Sequence, residues 1–200
     1  MPDRIGCQTE DCRAERRRLR DRLARAERGR RTALVERGRL EQQLMMMGNL
    51  CVAMQRLQGC LTHGQVLEAL QDNVINVYGS EELAIYERVA AGAELRVTQS
   101  FGLGPDRLGP VPVGRGPVGR AAEGHGWIVG DDGTRTEDQD LTAAVPLEAA
   151  GSVVGVLAVW RLLPHKPAVE DTDRHVLELL GRAGGAALYL AVRQEAARAA

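Results

Sequence analysis

Apolar positions recur along this chain in two rhythms. From Arg13 to Thr62 they come every three or four residues, and no proline interrupts them. Alternate steps of four and three give Leu19, Leu23, Ala26, Arg30, Ala33, Arg37, Leu40, Leu44, Met47, Cys51, Met54, Gln58 and Leu61. Ten of these thirteen are apolar, which is the heptad seam of a coiled coil. Gly29 and Gly38 each weaken a helix interior by about 1 kcal/mol relative to Ala. Arg30 and Arg37 would face their own copies in a parallel homodimer. The pattern therefore predicts a weak seam from Arg28 to Arg39 and a strong one from Leu40 to Leu61.

Beyond His63-Gly64 the rhythm shortens. Gln65–Tyr78 reads as a short amphipathic helix with Val66, Leu67, Leu70 and Val74 apolar. Glu82–Val89 and Leu95–Phe101 alternate with period two and form a predicted hairpin, with Leu95, Val97 and Phe101 on one face. Leu141–Leu147 and Val153–Leu162 form a second hairpin around Gly151-Ser152. Val153–Trp160 contains no polar residue, so both its faces should be covered, as in a central strand. A short helix is predicted at Pro117–Glu123 and a strand at Trp127–Val129. A last helix starts at Asp171 or Thr172 and runs to about Gln194. Helices at both ends with antiparallel strands between them make an α+β domain, the terminal helices sharing one face of the sheet. The chain divides into a flexible stretch over 1–12, an Arg-rich arm over 13–47 and a globular domain over 48–195.

Composition adds one feature. The net charge is only −1, yet Arg13–Glu41 carries twelve arginines against five acids. Hydrophobic residues make up 44% of the chain but aromatic ones only 3%, so aliphatic residues and Ala must fill the core. The first twelve residues lack the apolar core of a signal peptide. No run reaches the ~18 apolar residues of a membrane span. A cytoplasmic location is expected, with Cys7, Cys12, Cys51 and Cys60 reduced.

Candidate chemistry is sparse. Cys7 and Cys12 lack two further closely spaced ligands, so no zinc site is expected. Gly102–Gly119 is rich in Gly and Pro, but it lacks a Gly-Lys-Ser/Thr phosphate loop and a dinucleotide fingerprint. Asp131–Asp140 is acidic, but its spacing does not match a calcium loop. His63, His125, His165 and His175 form no local motif with a nucleophile. No metal and no catalytic residue is assigned, no cofactor is identified, and enzymatic activity is not expected.

Three stretches, taken together and in order, resemble the GAF domain family of small sensor domains. They are VPVGRGPVGRAAEGHGWIVGDD at Val111–Asp132, LTAAVPLEAAGSVVGVLAVWR at Leu141–Arg161, and VEDTDRHVLELLGRAGGAALYLAV at Val169–Val192. The resemblance implies a six-stranded antiparallel sheet with the terminal helices packed on one face and a small-molecule pocket on the other. It also implies dimers built by the terminal helices. Around such a pocket the candidate residues are Tyr86, Arg88, Phe101, Arg115, His125 and Trp127. The cyclic-nucleotide signature of the family is absent. The pocket cysteines of its bilin-binding members and its free methionine sulfoxide reductases are absent too, since no cysteine follows Cys60.

The expected function is thus a non-catalytic regulatory module. It should be a homodimer through the seam Leu40, Leu44, Met47, Cys51 and Met54. It should engage a protein partner through the arm, where Arg30 and Arg37 await an acidic helix, and it has room for a small-molecule ligand. Nucleic-acid binding by the Arg-rich helix is the alternative. It is disfavoured because aromatic or Gly-rich interleaving is missing and because the Asn-and-Ala pattern of a zipper-type reader is absent. A small GAF-type enzyme is the second alternative.

Overall fold

The computed structural model of the protein describes residues 10–89, 92–128, 141–161, 169 and 171–199. Val129, the acidic Asp131–Asp140 stretch and residues 1–9 lie outside these. Contacts divide the chain into two compact units, Met1–Gly48 and Asn49–Ala200.

Helix α1 spans Glu10–Gly59 without a break. Gly29, Gly38 and Gly48 sit within it with open space where a Cβ would be, so their cost is one of propensity and not of packing. Helix α2, His63–Asn73, begins two residues before the sequence pattern suggests. The reason is a capping box. Thr62 Oγ1 accepts from the Gln65 N–H at 3.3 Å, and Gln65 Oε1 accepts from the Thr62 N–H at 3.3 Å. His63-Gly64 is therefore the first turn of a helix, not a breaker. A π-helical turn, Val74–Tyr78, follows and closes at Gly79 in the left-handed conformation.

Six strands form one antiparallel sheet: β1 Leu83–Arg88, β2 Glu94–Phe101, β3 Val111–Pro112, β4 Trp127–Ile128, β5 Ala143–Ala149 and β6 Ser152–Val159. Their order across the sheet is β3-β2-β1-β6-β5-β4. The expected α+β, GAF-like architecture is what the chain adopts. Strand β6 lies at the centre, and Gly155 and Val156 to Trp160 are all buried. Pro146 sits on β5 past the reach of the two-residue β4, so its missing N–H breaks no ladder on that side.

Helix α4, Asp171–Ala199, lies on β5, β6 and α2. Glycines set the distance. A Cβ on Gly181 would stand 2.6 Å from the Pro146 carbonyl oxygen, and one on Gly185 would stand 2.3 Å from the Glu148 nitrogen. On the same helix, a Cβ on Gly184 would strike the Leu70 side chain of α2. Between these elements Val66, Leu67, Leu70, Leu147, Leu157, Leu177 and Leu180 are buried. Asp173 is buried at the start of α4, and the Tyr78 phenol is pushed up well beyond its ordinary range by burial and then by that carboxylate.

Two register shifts alter the alternation read from sequence. Ile85 opposes Gln99 while Tyr86 opposes Val97, so Thr98 is an extra residue in β2. Leu95 and Val97 therefore share the outer face with Tyr86, whereas Phe101 opposes Leu83 on the helix face. The second shift, between Leu147 and Glu148, makes Val154 the extra residue and sets Val153 opposite Glu148. The β5–β6 hairpin closes through Ala150 and Gly151, with φ of 50° and 76°. Both central residues are left-handed, the demand of a type I′ turn, and Ala150 meets it with a Cβ.

Two substitutions test this packing in urea denaturation. Ala150→Asn should raise stability by about 0.5–1 kcal/mol, because Asn tolerates the left-handed region better than Ala. Gly185→Ala should lower it by about 1–3 kcal/mol, as overpacking against backbone does. An unchanged midpoint for Gly185→Ala would mean that α4 does not lie on β5 as closely as described.

Candidate functional site

The outer face of the sheet, opposite α2 and α4, is where a ligand pocket is expected. Its centre is filled. Ala84, Tyr86, Leu95, Ala144, Val156, Ala158 and Trp160 pack beneath Val118, Ala121 and Ala122 of the α3 region and Leu141. Helix α3, Gly116–Ala121, comes this close because Ala84, Ala144 and Ala158 in that cluster are small. Gly119 also leaves no room for a Cβ, which would stand 2.4 Å from the Pro112 carbonyl oxygen. Tyr86 is 2% exposed, a member of this packed cluster.

Beside the cluster lies an open groove of about 750 Å³. It runs between the end of α3, the β5–β6 turn and α4, with Arg88, Glu123, Glu148 and Arg182 along it. Arg88 follows Tyr86 by two positions on β1, so it emerges on the same face. Its guanidinium donates to the Ala122 carbonyl at 2.5 Å, which satisfies one of the last carbonyls of α3. Two cationic and two anionic side chains around an open groove suit a polar, zwitterionic or hydrogen-bonding guest better than an apolar one.

The six residues proposed from sequence are thus only partly gathered. Tyr86 and Arg88 are neighbours on the outer face. Arg115 is the exposed N-cap residue of α3 and His125 is exposed just after that helix. Trp127 pairs through its backbone with Ala144, and its side chain lies outside the described residues. Phe101 is carried to the other face by the Thr98 bulge. Arg182 and Glu148 line the groove but carry no signal in the sequence, since they come from α4 and β5 and meet only in the fold.

Two polar networks were likewise invisible along the chain. At the start of β1, Glu82 pairs with Arg161 and with Arg107 at 3.6 Å, and Arg107 also stacks over Trp160 at 5.9 Å from the ring centre. On the helix side, His63 Nε2 donates to Glu87 Oε1 at 2.6 Å, and Thr98 Oγ1 donates to the same oxygen at 3.1 Å. The His63 backbone N–H donates to Glu195 Oε1 at 2.9 Å. This second network joins the N-terminus of α2, β1, the β2 bulge and the C-terminal part of α4.

The thiols offer little chemistry. Cys60 is held by its contacts to the Arg56 and Gln65 carbonyls, and burial, then Glu68, raises its pKa. Cys51 is a free, exposed thiol. Cys12 is disulfide-bonded, against the expectation of reduced cysteines. Among the described residues no group of three or more His, Cys, Asp or Glu is placed to hold a metal.

The His63–Glu87 contact can be measured by a double-mutant cycle. His63→Ala and Glu87→Ala should show a coupling of about 0.5–1 kcal/mol, the range of partly exposed pairs. Additive effects would mean that the contact contributes nothing to stability.

No family model matches the sequence, and no curated protein matches it. Solved structures do. The chain is similar to the GAF domain of an Acinetobacter phosphoenolpyruvate-protein phosphotransferase, with 16% identity over 76% of this chain and 95% of that one and a TM-score of 0.58. It is similar to a methyl-accepting chemotaxis protein segment, with 18% identity over 74% of this chain and 99% of that one and a TM-score of 0.55. It is also similar to a free methionine-R-sulfoxide reductase from Neisseria meningitidis, with 19% identity over 76% and 93% and a TM-score of 0.58. The fold is GAF-like.

Proposed function

We propose that this chain is a non-catalytic regulatory module, a GAF-like domain that dimerises through α1 and passes its signal to a protein partner. The observation that carries the reading is the apolar stripe on α1. Leu40, Leu44 and Met47 are 51%, 69% and 64% exposed, and Cys51 continues the stripe in the same rhythm. Met54, the last of the five, is half-buried. Large apolar side chains left in water at heptad spacing are an association surface. A second copy fits it, because from Leu40 to Met54 the seam is apolar in both registers.

Farther up the helix, Arg30 and Arg37 occupy seam positions, and Arg37 is paired along its own helix with Glu41 at 3.2 Å. Two copies brought together here would oppose like charges. An acidic helix of a protein partner would offset them, so the same helix favours self-association in one half and a different partner in the other. The groove beside Arg88 and Arg182 is the place for a small polar effector.

The solved structures of similar fold include a chemotaxis protein segment, in keeping with a regulatory role, and one reductase. Against the catalytic alternative, all four cysteines precede β1 in the sequence, so none lies on the sheet or its loops. No helix among the described residues is long and apolar enough to cross a membrane.

Dimerisation has two direct tests. Leu44→Glu with Met47→Glu should convert a dimer to a monomer in light scattering. In a parallel dimer Cys51 faces its copy, within the Cα separation that a disulfide allows. Mild oxidation should then give a covalent dimer that Cys51→Ser abolishes. A wild-type monomer at micromolar concentration would remove the basis for this function.

A further inference from the structure

Arginines surround the first part of α1, with Arg16, Arg18, Arg22, Arg25 and Arg30 scattered about the helix, but the other five form one row away from the seam. Between Arg13 and Arg31 there are ten arginines and three acids. At 100° per residue, Arg13, Arg17, Arg20, Arg28 and Arg31 fall on one side of the helix, with Ala24 completing the row. The seam positions Leu19, Leu23, Ala26 and Ala33 fall on the opposite side. All five arginines are exposed, and none is in an ion pair among the described residues. The row is therefore a line of guanidiniums spaced one helical turn apart, about 5 Å, with one gap at Ala24. A partner on the seam leaves it uncovered.

From this geometry we propose that the arginine face of α1 is a docking surface for the phosphate backbone of duplex DNA, bound without regard to sequence. The occupant follows from what the row contains and lacks. It has no Leu, Met or aromatic residue, so a folded protein would find no apolar anchor there, and such anchors carry most protein–protein affinity. An interfacial membrane helix needs a strongly apolar face opposite its basic one, often with Trp or Phe, and here that face offers Leu19, Leu23, Ala26 and Ala33 with Arg30 among them and no aromatic residue. A phosphate backbone needs only a line of cations, and guanidiniums bind phosphate oxygens in a bidentate fork. The lack of interleaved aromatics bears on single strands, whose bases stack, and not on a duplex contacted through its phosphates. The surface is separate from the seam through which the proposed function works, so either can fail without the other.

The test is fluorescence anisotropy of a labelled 25-base-pair duplex of arbitrary sequence with the full-length protein. If four to five phosphates are contacted, affinity should fall by about 150- to 500-fold between 50 and 200 mM salt, from a log–log slope near −0.9 per phosphate. Replacing Arg13, Arg17, Arg20, Arg28 and Arg31 together by Gln should weaken binding at 50 mM salt by at least about tenfold, with helicity by circular dichroism retained. Arg30→Gln with Arg37→Gln, on the seam side, should leave most of the affinity. Three results would overturn the proposal: no binding by the wild type at 50 mM salt, equal binding by the five-site variant, or retention on vesicles of 30% phosphatidylserine with none on the duplex. If the five-site variant loses helicity, Arg17→Glu with Arg20→Glu replaces it, and unchanged binding by that helical variant also overturns the proposal.

Discussion

The domain depends on how closely one helix approaches one strand. Three glycines, Gly181, Gly184 and Gly185, bring α4 into contact with β5 and with Leu70 of α2. Each glycine costs a helix interior about 1 kcal/mol relative to Ala. The close contact offsets that cost by burying Leu147, Leu157, Leu177 and Leu180 between helix and sheet. With only 3% aromatic residues, the core cannot bridge a wide gap with large side chains, so the layers must come together instead.

The same economy of volume shapes the outer face. Ala84, Ala144 and Ala158 let the α3 region settle onto the sheet around Tyr86 and Trp160. The space in which a buried ligand would sit is occupied by packed side chains. Among the described residues an open groove lies at one side, and its charged lining comes from β1, β5, α4 and the loop after α3. A guest there would touch the β5–β6 turn and α4 together, and α4 in turn meets α2 and the His63–Glu87 network.

That network gives the helices a polar attachment to the sheet. Glu87 receives His63 from α2 and Thr98 from the β2 bulge, and Glu195 of α4 receives the His63 backbone. The extra residue in β2 does two things at once: it places Thr98 beside Glu87, and it turns Phe101 to the helix face. A bulge that redirects two side chains is a common device for re-aiming a strand near its working surface.

Much of this architecture follows from local periodicity. The unbroken α1 helix, the all-apolar central strand β6, both hairpins and the long α4 helix are written in spacings of 3.5 and 2, because those periods decide which side chains one element can bury. The capping box at Thr62 and Gln65 carries a local signature too, but His63-Gly64 reads as a break in the periodicity and hides the helix start. The bulges at Thr98 and Val154 were not. A register shift depends on how two strands, each with its own packing partners, fit together, and no window of one strand contains that information. For the same reason Tyr86 and Arg88 could be placed side by side from β1 alone. The groove's Arg182 and Glu148, the Glu82–Arg107–Arg161 cluster and the His63–Glu87 contact join residues far apart in the chain, and only the tertiary fold brings them within hydrogen-bonding or Coulombic reach.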